Sequence, residues 1–389
     1  MKTLSQLSLL SLVLVLFGCV GMDTKTRVSK TRTQFSGDIV NAGIVYSTPT
    51  GGEEAVAKSF PYSSSIIKAN NLNAALKSRL EKISKPGCRI ITEDLATSKQ
   101  NAISIALSID SERDFTSYIS GINQYKLEVI VNASIVLFDF HTKSILASYP
   151  FMVSYAKNYK SEPGAAEKMD IFSEIFSAQD TSVNVFKYAA DMLKDIEIYR
   201  SYDSTIGVSN VGFSPEAESS MQALEFDSDS SKIFIASLFN GAVSKNFKVP
   251  MLPYSYNGSE IFYVMADGYT NGDKLSNELL LKNPNPTYQI NLDLGKLSYR
   301  KLRKEGNAFG YGFVSGYEID VRNISSATIF KKRIALGTSA VYTTQFNGRG
   351  MHLAQLFYNL VSLFDKKTAE EIKENDKFEK FLDILEECK

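Results

Sequence analysis

Few residues in this chain have the type and spacing that chemistry needs. Only two histidines occur, His141 and His352, and they are far apart in sequence. No Cys-x-x-Cys or His-Glu-x-x-His string accompanies them, so a metal site or a base pair would have to be assembled by the fold. Ser65-x-x-Lys68 and Ser154-x-x-Lys157 have the spacing that sets an amine one helical turn from a nucleophilic hydroxyl. The Ser-Asp-Asn and Lys-Thr-Gly strings that complete that chemistry are missing. Glu53-Glu54 and the alternation Asp227-Ser228-Asp229-Ser230 supply acids for proton transfer or calcium. Lys232 stands where a calcium loop needs Gly, and no ligand Glu follows, so a solvated surface accounts for them. Asp267, Asn271 and Asp273 around Gly268 and Gly272 fit turn chemistry. The glycine run from Gly306 to Gly312 lacks a following Lys-Ser/Thr and leads into a strand, which excludes a phosphate loop. The remaining candidate for covalent chemistry is the thiol of Cys19.

Cys19 ends an apolar run from Leu7 to Phe17 that follows Lys2. The run is too short to span a bilayer and has the charged-then-apolar order of a secretory signal. Leu16-Phe17-Gly18-Cys19 resembles the lipobox of bacterial lipoproteins: a small residue directly before Cys, with Leu three positions before it. The resemblance implies cleavage after residue 18, acylation of the Cys19 thiol and of its new amino group, and a chain tethered to a membrane. Val20 follows where Asp would favour the inner membrane, so the expected address is the periplasmic face of the outer membrane, with surface exposure as a variant of it.

Composition narrows the partners. Lys plus Arg equals Asp plus Glu at 43 each, so no basic excess points to nucleic acid. No second apolar run approaches the roughly 18 residues of a spanning helix. There are 20 Tyr and 24 Phe but no Trp, which suits a β-rich chain better than a sugar-stacking platform. With Cys19 lipidated, Cys88 and Cys388 remain. In an oxidising compartment they stay free or pair, and their positions force neither outcome. Nothing in the motifs calls for a cofactor or metal.

The elements that would position these residues follow from periodicity. Residues 1–18 are signal and 19–36 a polar tether. An amphipathic helix with Leu72, Leu76, Leu80 and Ile83 runs from Asn71 to Ser84 and stops at Pro86-Gly87. Ile103, Ile105, Leu107 and Ile109 alternate as a strand. After a loop from Asp110 to Gln124, Leu127 to Leu137 alternate as a second. A turn at Asp139–Lys143 leads to a third strand, Ser144 to Tyr155, interrupted at Pro150, and a helix spans Thr181 to Ile198. The second half replays this order about 185 residues on. It has a short helix at Lys274–Lys282, a strand at Tyr288–Leu294, a loop from Gly295 to Gly310 with a bulge at Gly295, and a strand at Tyr317–Val321. A turn at Asn323–Ser326, a strand through Ile329 to Leu336 and a helix carrying Leu353 to Phe364 follow. Residues 200–231, rich in Ser and Asp, read as a linker with a short helix after Ser214. An amphipathic helix at Thr368–Lys389 ends the chain. The expectation is an α+β fold of two similar domains, 37–199 and 232–389, each a mainly antiparallel or mixed sheet backed by helices.

Tyr125-Lys126-Leu127 leading into Val129–Ala133, then Leu137-Phe138-Asp139, Thr142 and Ile145–Ser148, resemble the periplasmic domain of the curli secretion lipoprotein family, whose plan the TolB amino-terminal domain shares. In that family the turn holds Thr-Gly; Lys143 stands here in place of Gly, which implies a different turn conformation. The two loops, 110–124 and 295–310, offer no paired lipid-facing strands of a pore wall. The resemblance therefore implies a non-catalytic periplasmic accessory or adaptor for secretion or surface assembly, with other envelope proteins or further copies as partners. An envelope hydrolase with an unrecognised catalytic group is the competing reading. The alternating strands at Tyr125–Leu137 and Tyr317–Val321 would be docking sites if left at a sheet edge. The dense basic run Lys296, Arg300, Lys301, Arg303 and Lys304 is the candidate contact for headgroups or an acidic partner, against the plain alternative of a solvated hairpin.

Overall fold

The computed structural model describes residues 33–342, apart from 49, 93–100, 120–121, 178, 180–182, 223–227, 256–259, 272–273 and 306–307, and residues 378–389. The chain is a mixed α/β protein built on two sheets. The first is ordered β2 (Cys88–Ile91), β1 (Gly37–Thr48), β3 (Ile103–Ile119), β4 (Gln124–Asp139), β5 (Ser144–Tyr159). β1 runs parallel to β2 and β3, and β3, β4 and β5 form an antiparallel meander. Strict alternation puts Ile103, Ile105, Leu107, Ile109, Val129, Val131 and Ile135 on one face. Against that face lie α1 (Glu53–Ser59), α2 (Ser63–Ala69), α3 (Leu72–Leu80), α4 (Ala165–Ile175) and α5 (Val185–Asp195). The core between them is closed: Phe172, Phe186 and Leu193 are fully buried.

The second sheet has the same order: β7 (Met251–Leu252), β6 (Ile206–Phe213), β10 (Tyr288–Glu305), β11 (Ala308–Asn323), β12 (Thr328–Tyr342). Its parallel and antiparallel pairings match those of the first sheet strand for strand. β3, β4 and β5 start at Ile103, Gln124 and Ser144, and β10, β11 and β12 start 185, 184 and 184 residues later. Even the irregularities repeat. The β3–β4 ladder skips Asp110 and the β10–β11 ladder skips Gly295, so each is the extra residue of a bulge at the same place. The following turns match as well: the Asp139 carboxylate accepts the N–H groups of His141 and Thr142, and the Asn323 amide oxygen accepts those of Ser325 and Ala327.

Between the sheets lies α7 (Ser228–Phe247), joined by α6 (Pro215–Gln222) and α8 (Glu379–Glu387). α7 is apolar around its circumference because it is covered on both sides. Phe234, Leu238 and Phe239 meet Phe115 and Ile130 from the rear of the first sheet, and Ile290, Leu292, Ile319 and Val321 from the second. Gly241 faces β5, and a Cβ there would make ordinary contact, 3.7 Å from the Phe151 backbone. The hairpin β8 (Glu260–Asn271) and β9 (Lys274–Lys282) then returns to the first sheet. β8 pairs antiparallel with Val45–Thr48 of β1, and β9 reaches Ser144 of β5. The first sheet thus curls into a ring at this end, filled by Val45, Ala106, Val136, Phe138, Ile261, Tyr263 and Leu279.

Several sequence expectations are corrected here. Lys274–Lys282 is strand β9, not a helix: the spacing of Leu275 and Leu279 suited a helix, but Leu279 and Leu281 are buried while Leu280 is exposed, a period of two. The stretch 200–231 holds β6, whose Ile206, Val208 and Val211 are core residues, so it is no linker; the short helix after Ser214 is α6. The division into 37–199 and 232–389 does not separate the sheets, because β8 and β9 belong to the first. The loops 110–124 and 295–310 are mostly strand, reaching Ile119 and Glu305. β5 is unbroken at Pro150, which pairs with Ser134 on one side while β9 touches β5 only at Ser144 on the other. Tyr125–Leu137 and Tyr317–Val321 lie in the central strands β4 and β11, not at edges. Lys143 at this turn adopts a left-handed backbone (φ 54°), the region that favours Gly. The tether ends early: Phe35 is buried, its N–H donating to the Ile198 carbonyl (2.8 Å). α4 had no counterpart in the sequence reading. Cys19, the helix at Leu353–Phe364 and residues 368–377 of the last helix lie outside the described residues.

Candidate interaction surface

Beyond its Gly295 bulge, β10 carries the basic run away from the core. There it stays paired with β11, from Lys296↔Gly316 to Glu305↔Ala308. Arg300 faces Gly312 and Arg303 faces Gly310 in this register, with a second shift between Lys301 and Arg303. All five cations, Lys296, Arg300, Lys301, Arg303 and Lys304, therefore sit on one strand arm, and Arg300, Lys301 and Lys304 are exposed. Two apolar side chains share the exposure, Leu302 at 59% and Val314 at 41%. Leu302 lies across Gly312: a Cβ at that glycine would come 3.2 Å from Leu302 Cδ1. Glycines opposite long cations leave bare sheet backbone beneath them. Below the bulge the outer face carries ion pairs. Glu318 bridges Lys331 (2.6 Å) and Arg333 (2.5 Å), and Asp320 pairs with Arg322 (2.7 Å). The arm can hold an anionic surface by Coulomb attraction, with the salt sensitivity that exposure brings.

A second constellation was missed by the sequence reading. Asp110, the bulge residue of β3, accepts hydrogen bonds from the hydroxyls of Ser108 (2.5 Å) and Ser134 (2.7 Å). Burial lifts its pKa to about 6, although both hydroxyls pull the other way. The Tyr263 hydroxyl of β8 is buried nearby without a hydrogen-bond partner, and its pKa is pushed well up by burial and then by the Asp110 charge. The signal was legible: Ser104, Ala106, Ser108 and Asp110 form the small-residue face of one strand, an unusual place for an acid. Asp110 is half-buried, and each of its carboxylate oxygens is taken up by a serine hydroxyl.

The fold does not join the other candidates. Ser65 sits on α2 with its hydroxyl donating to the Pro61 carbonyl (3.1 Å). Ser154 and Lys157 lie three apart on strand β5, hence on opposite faces, and cannot act as a pair. His141 occupies the exposed turn after β4, and His352 is outside the described residues. Glu53 accepts from Asn277 (3.2 Å) and Asp267 from Asn73 (2.5 Å), both structural ties to the hairpin or the helix layer. Neither Cys88 nor Cys388 is in a disulfide, and they belong to different cores. Cys88 borders the first-sheet helices with its thiol at the Phe35 carbonyl (3.3 Å), and Cys388 is buried with α8, so the sequence option of a disulfide is not realised. Among the described residues, no three His, Cys, Asp or Glu side chains converge as a metal site, and no helix is long and apolar enough to cross a membrane.

One cavity of about 280 Å³ opens where the two-residue β7 stops, between Gly207, Val208 and Ser209 of β6 and Leu252, Asn283 and Gln289. The Asn283 amide donates to the Pro253 carbonyl (2.8 Å), while its oxygen is buried with no partner.

No family model and no curated protein matches this sequence. Among solved structures, the chain is similar to the hypothetical protein CT253 from Chlamydia trachomatis, at 11% identity and a TM-score of 0.24, over 41% of this chain and 96% of that one.

Proposed function

We propose that this chain is a lipid-anchored cell-envelope protein that works by binding other proteins, as a non-catalytic periplasmic accessory in secretion or surface assembly. The lipobox-like Leu16–Cys19 supports the anchor and the outer-membrane address. The observation that carries the binding role is the β10–β11 arm, where Arg300, Lys301 and Lys304 are exposed on one strand together with Leu302. Cations around an exposed apolar side chain suit an acidic protein surface, which charge steers and apolar contact retains. We further read the two sheets as two similar units that arose by duplication, from their shared strand order, matching bulges and constant offset. The likeness to the curli secretion lipoproteins rests on that repeated plan and on the sequence motifs around Tyr125–Ser148. A hydrolase gains no support from Asp110, whose two oxygens each accept a serine hydroxyl.

Crosslinking in cells followed by mass spectrometry tests the proposal. A stoichiometric protein partner is expected, captured by the native chain and weakened when Arg300, Lys301, Arg303 and Lys304 are all replaced by Ser, with the circular dichroism spectrum unchanged. Full association of that variant at low and high salt would reduce the run to a solvated hairpin. Turnover of a cell-wall or ester substrate, abolished by one Ser or Asp substitution, would overturn the non-catalytic reading. The anchor has its own test: incorporation of labelled fatty acid that disappears in Cys19→Ser.

A further inference from the structure

The two sheets carry the same irregularity in equivalent strands. β1 has one residue more between Asn41 and Ile44 than β3 has between Ile105 and Leu107. β6 repeats this between Val208 and Val211, against Ile290 to Leu292 of β10. In the first sheet a carboxamide occupies the notch so formed. Asn73 of α3 accepts the Ile44 N–H (2.8 Å) through Oδ1 and donates from Nδ2 to Asp267 (2.5 Å). The fit is close, since a Cβ at Gly43 would come 3.0 Å from that oxygen. In the second sheet the cavity of about 280 Å³ opens at the corresponding place, against Val208 and Ser209.

Its walls are stiff and neutral. Pro253, Pro284 and Pro286 line it, and among the described residues none that does so is charged. The loop from Asn283 to Pro286 is tied at both ends. The Asn283 amide donates to the Pro253 carbonyl (2.8 Å), and just past the loop the N–H groups of Thr205 and Thr287 each donate to the other's hydroxyl (3.2 and 3.1 Å). A carbonyl only accepts, so Asn283 turns its nitrogen to Pro253 and is left with its oxygen. That oxygen is buried without a partner, on a side chain that lines the cavity and is 8% exposed. An orphaned acceptor in a neutral cavity calls for an uncharged donor. Ser209 and Gln289, also on the wall, supply donors for whatever acceptor comes with it.

We propose that this cavity is a carboxamide pocket, which takes the side-chain amide of an asparagine or glutamine presented by a partner protein. The incoming N–H donates to the Asn283 oxygen, and the incoming carbonyl accepts from Gln289 or Ser209, as Asn73 both accepts and donates at the β1 notch. A carboxylate or ammonium would enter without a counter-charge, and an aliphatic side chain would leave the Asn283 oxygen unpaired. The contact runs through side chains on the wall and needs no main-chain group of β6. This deepens the protein-binding reading and rests on it. The basic arm lies past Gly295, whereas Gln289 is at the start of β10, so the two contacts are separate.

The probes are three tripeptides capped with acetyl and methylamide, Gly-Gln-Gly and its Glu and Met counterparts, titrated into the full mature chain and followed by amide NMR shifts. The Gln peptide is expected to bind with a Kd of about 1 mM, the scale of a single side-chain contact. Its shifts should be confined to the cavity wall, with the Glu and Met peptides at least about tenfold weaker. Asn283→Ala removes the acceptor but also the tie to Pro253. Ser209→Tyr, an exposed substitution that fills the cavity, is therefore the second variant and should weaken the Gln peptide at least about tenfold with an unchanged melting temperature. The proposal falls if Glu or Met binds as well as Gln, if the shifts lie elsewhere, or if Ser209→Tyr keeps the native affinity. N-acetylglucosamine that binds as tightly and displaces the Gln peptide would assign the pocket to acetamido sugars and overturn the protein claim. The arm variant with four Ser substitutions should still bind the peptide. If cells yield no protein partner while the Gln peptide binds as described, the proposed function fails and the pocket stands. A partner captured equally by native and Ser209→Tyr chains, with no binding of the Gln peptide, keeps the proposed function and removes the pocket.

Discussion

Asp110 sets a pH dependence that the exposed acids do not share. Its carboxyl is pushed up to about 6 by desolvation, while in the unfolded chain it titrates near the ordinary 3.8. Between those values the unfolded chain releases its proton first, so the contribution of this residue is greatest below pH 4 and declines as pH rises through about 6. Two units of displacement correspond to about 3 kcal/mol at most. Asp110→Asn, which keeps hydrogen bonds to Ser108 and Ser134, is expected to stabilise the protein by up to about 2 kcal/mol at pH 7.5 and by almost nothing at pH 4. Urea melts at the two pH values check this; equal gains at both would mean that the buried carboxyl is not the cause. Its counterpart Gly295 carries no side chain, so the same bulge is electrostatically silent in the second sheet.

At the scale of elements, two charged side chains finish helices that their own sequences leave open. Glu112, buried on β3, accepts the N–H groups of Tyr62 (2.8 Å) and Ser63 (2.9 Å) at the start of α2. Lys85, 7% exposed, donates to the carbonyls of Leu193 (3.1 Å) and Ile196 at the end of α5. Each meets the terminal groups that a helix cannot bond internally, with the sign its dipole favours. Glu112→Ala and Lys85→Met should each cost about 2 kcal/mol in chemical denaturation, since buried partners are left unpaired. A loss under about 0.5 kcal/mol in either would deny that end of the helix its cap. Gly241→Ala in α7 should raise stability by about 0.5–1 kcal/mol, because its Cβ would stand at an ordinary 3.7 Å from Phe151.

At the scale of the molecule, the chain is stitched rather than divided. α7 is shared by both sheets, and β8 closes the edge of β1 across more than half the sequence. A fragment of residues 33–199 would bare Phe115, Ile130 and the Val45–Thr48 edge at once. Calorimetry should therefore show a single transition for the whole chain, and the fragment should stay insoluble or unfolded unless residues 200–389 are supplied with it. Two separated transitions, or an independently folded fragment, would restore the picture of two autonomous domains. The stacking also stops at two. The outer face of the second sheet carries the Glu318 and Asp320 ion pairs instead of the apolar surface that α7 meets on the first.

Local pattern was enough for a mixed helix-and-sheet chain, the meander strands, the turns at Asp139 and Asn323, and the offset between the two sets of strands. Each depends on alternation or turn chemistry within about ten residues, which a chain displays wherever one face is buried. Pattern failed where the deciding partner was distant. Glu112 and Asp114 read as loop because their polarity hides a strand that exists only by pairing with β4. β6 looked like a linker because Ser, Asn and Gly interrupt it, yet β10 holds it. Of the candidate site, the basic run was visible as composition, but its place on a paired, glycine-backed strand was not. Sequence fixes what each residue prefers; tertiary structure decides which of those preferences finds a partner.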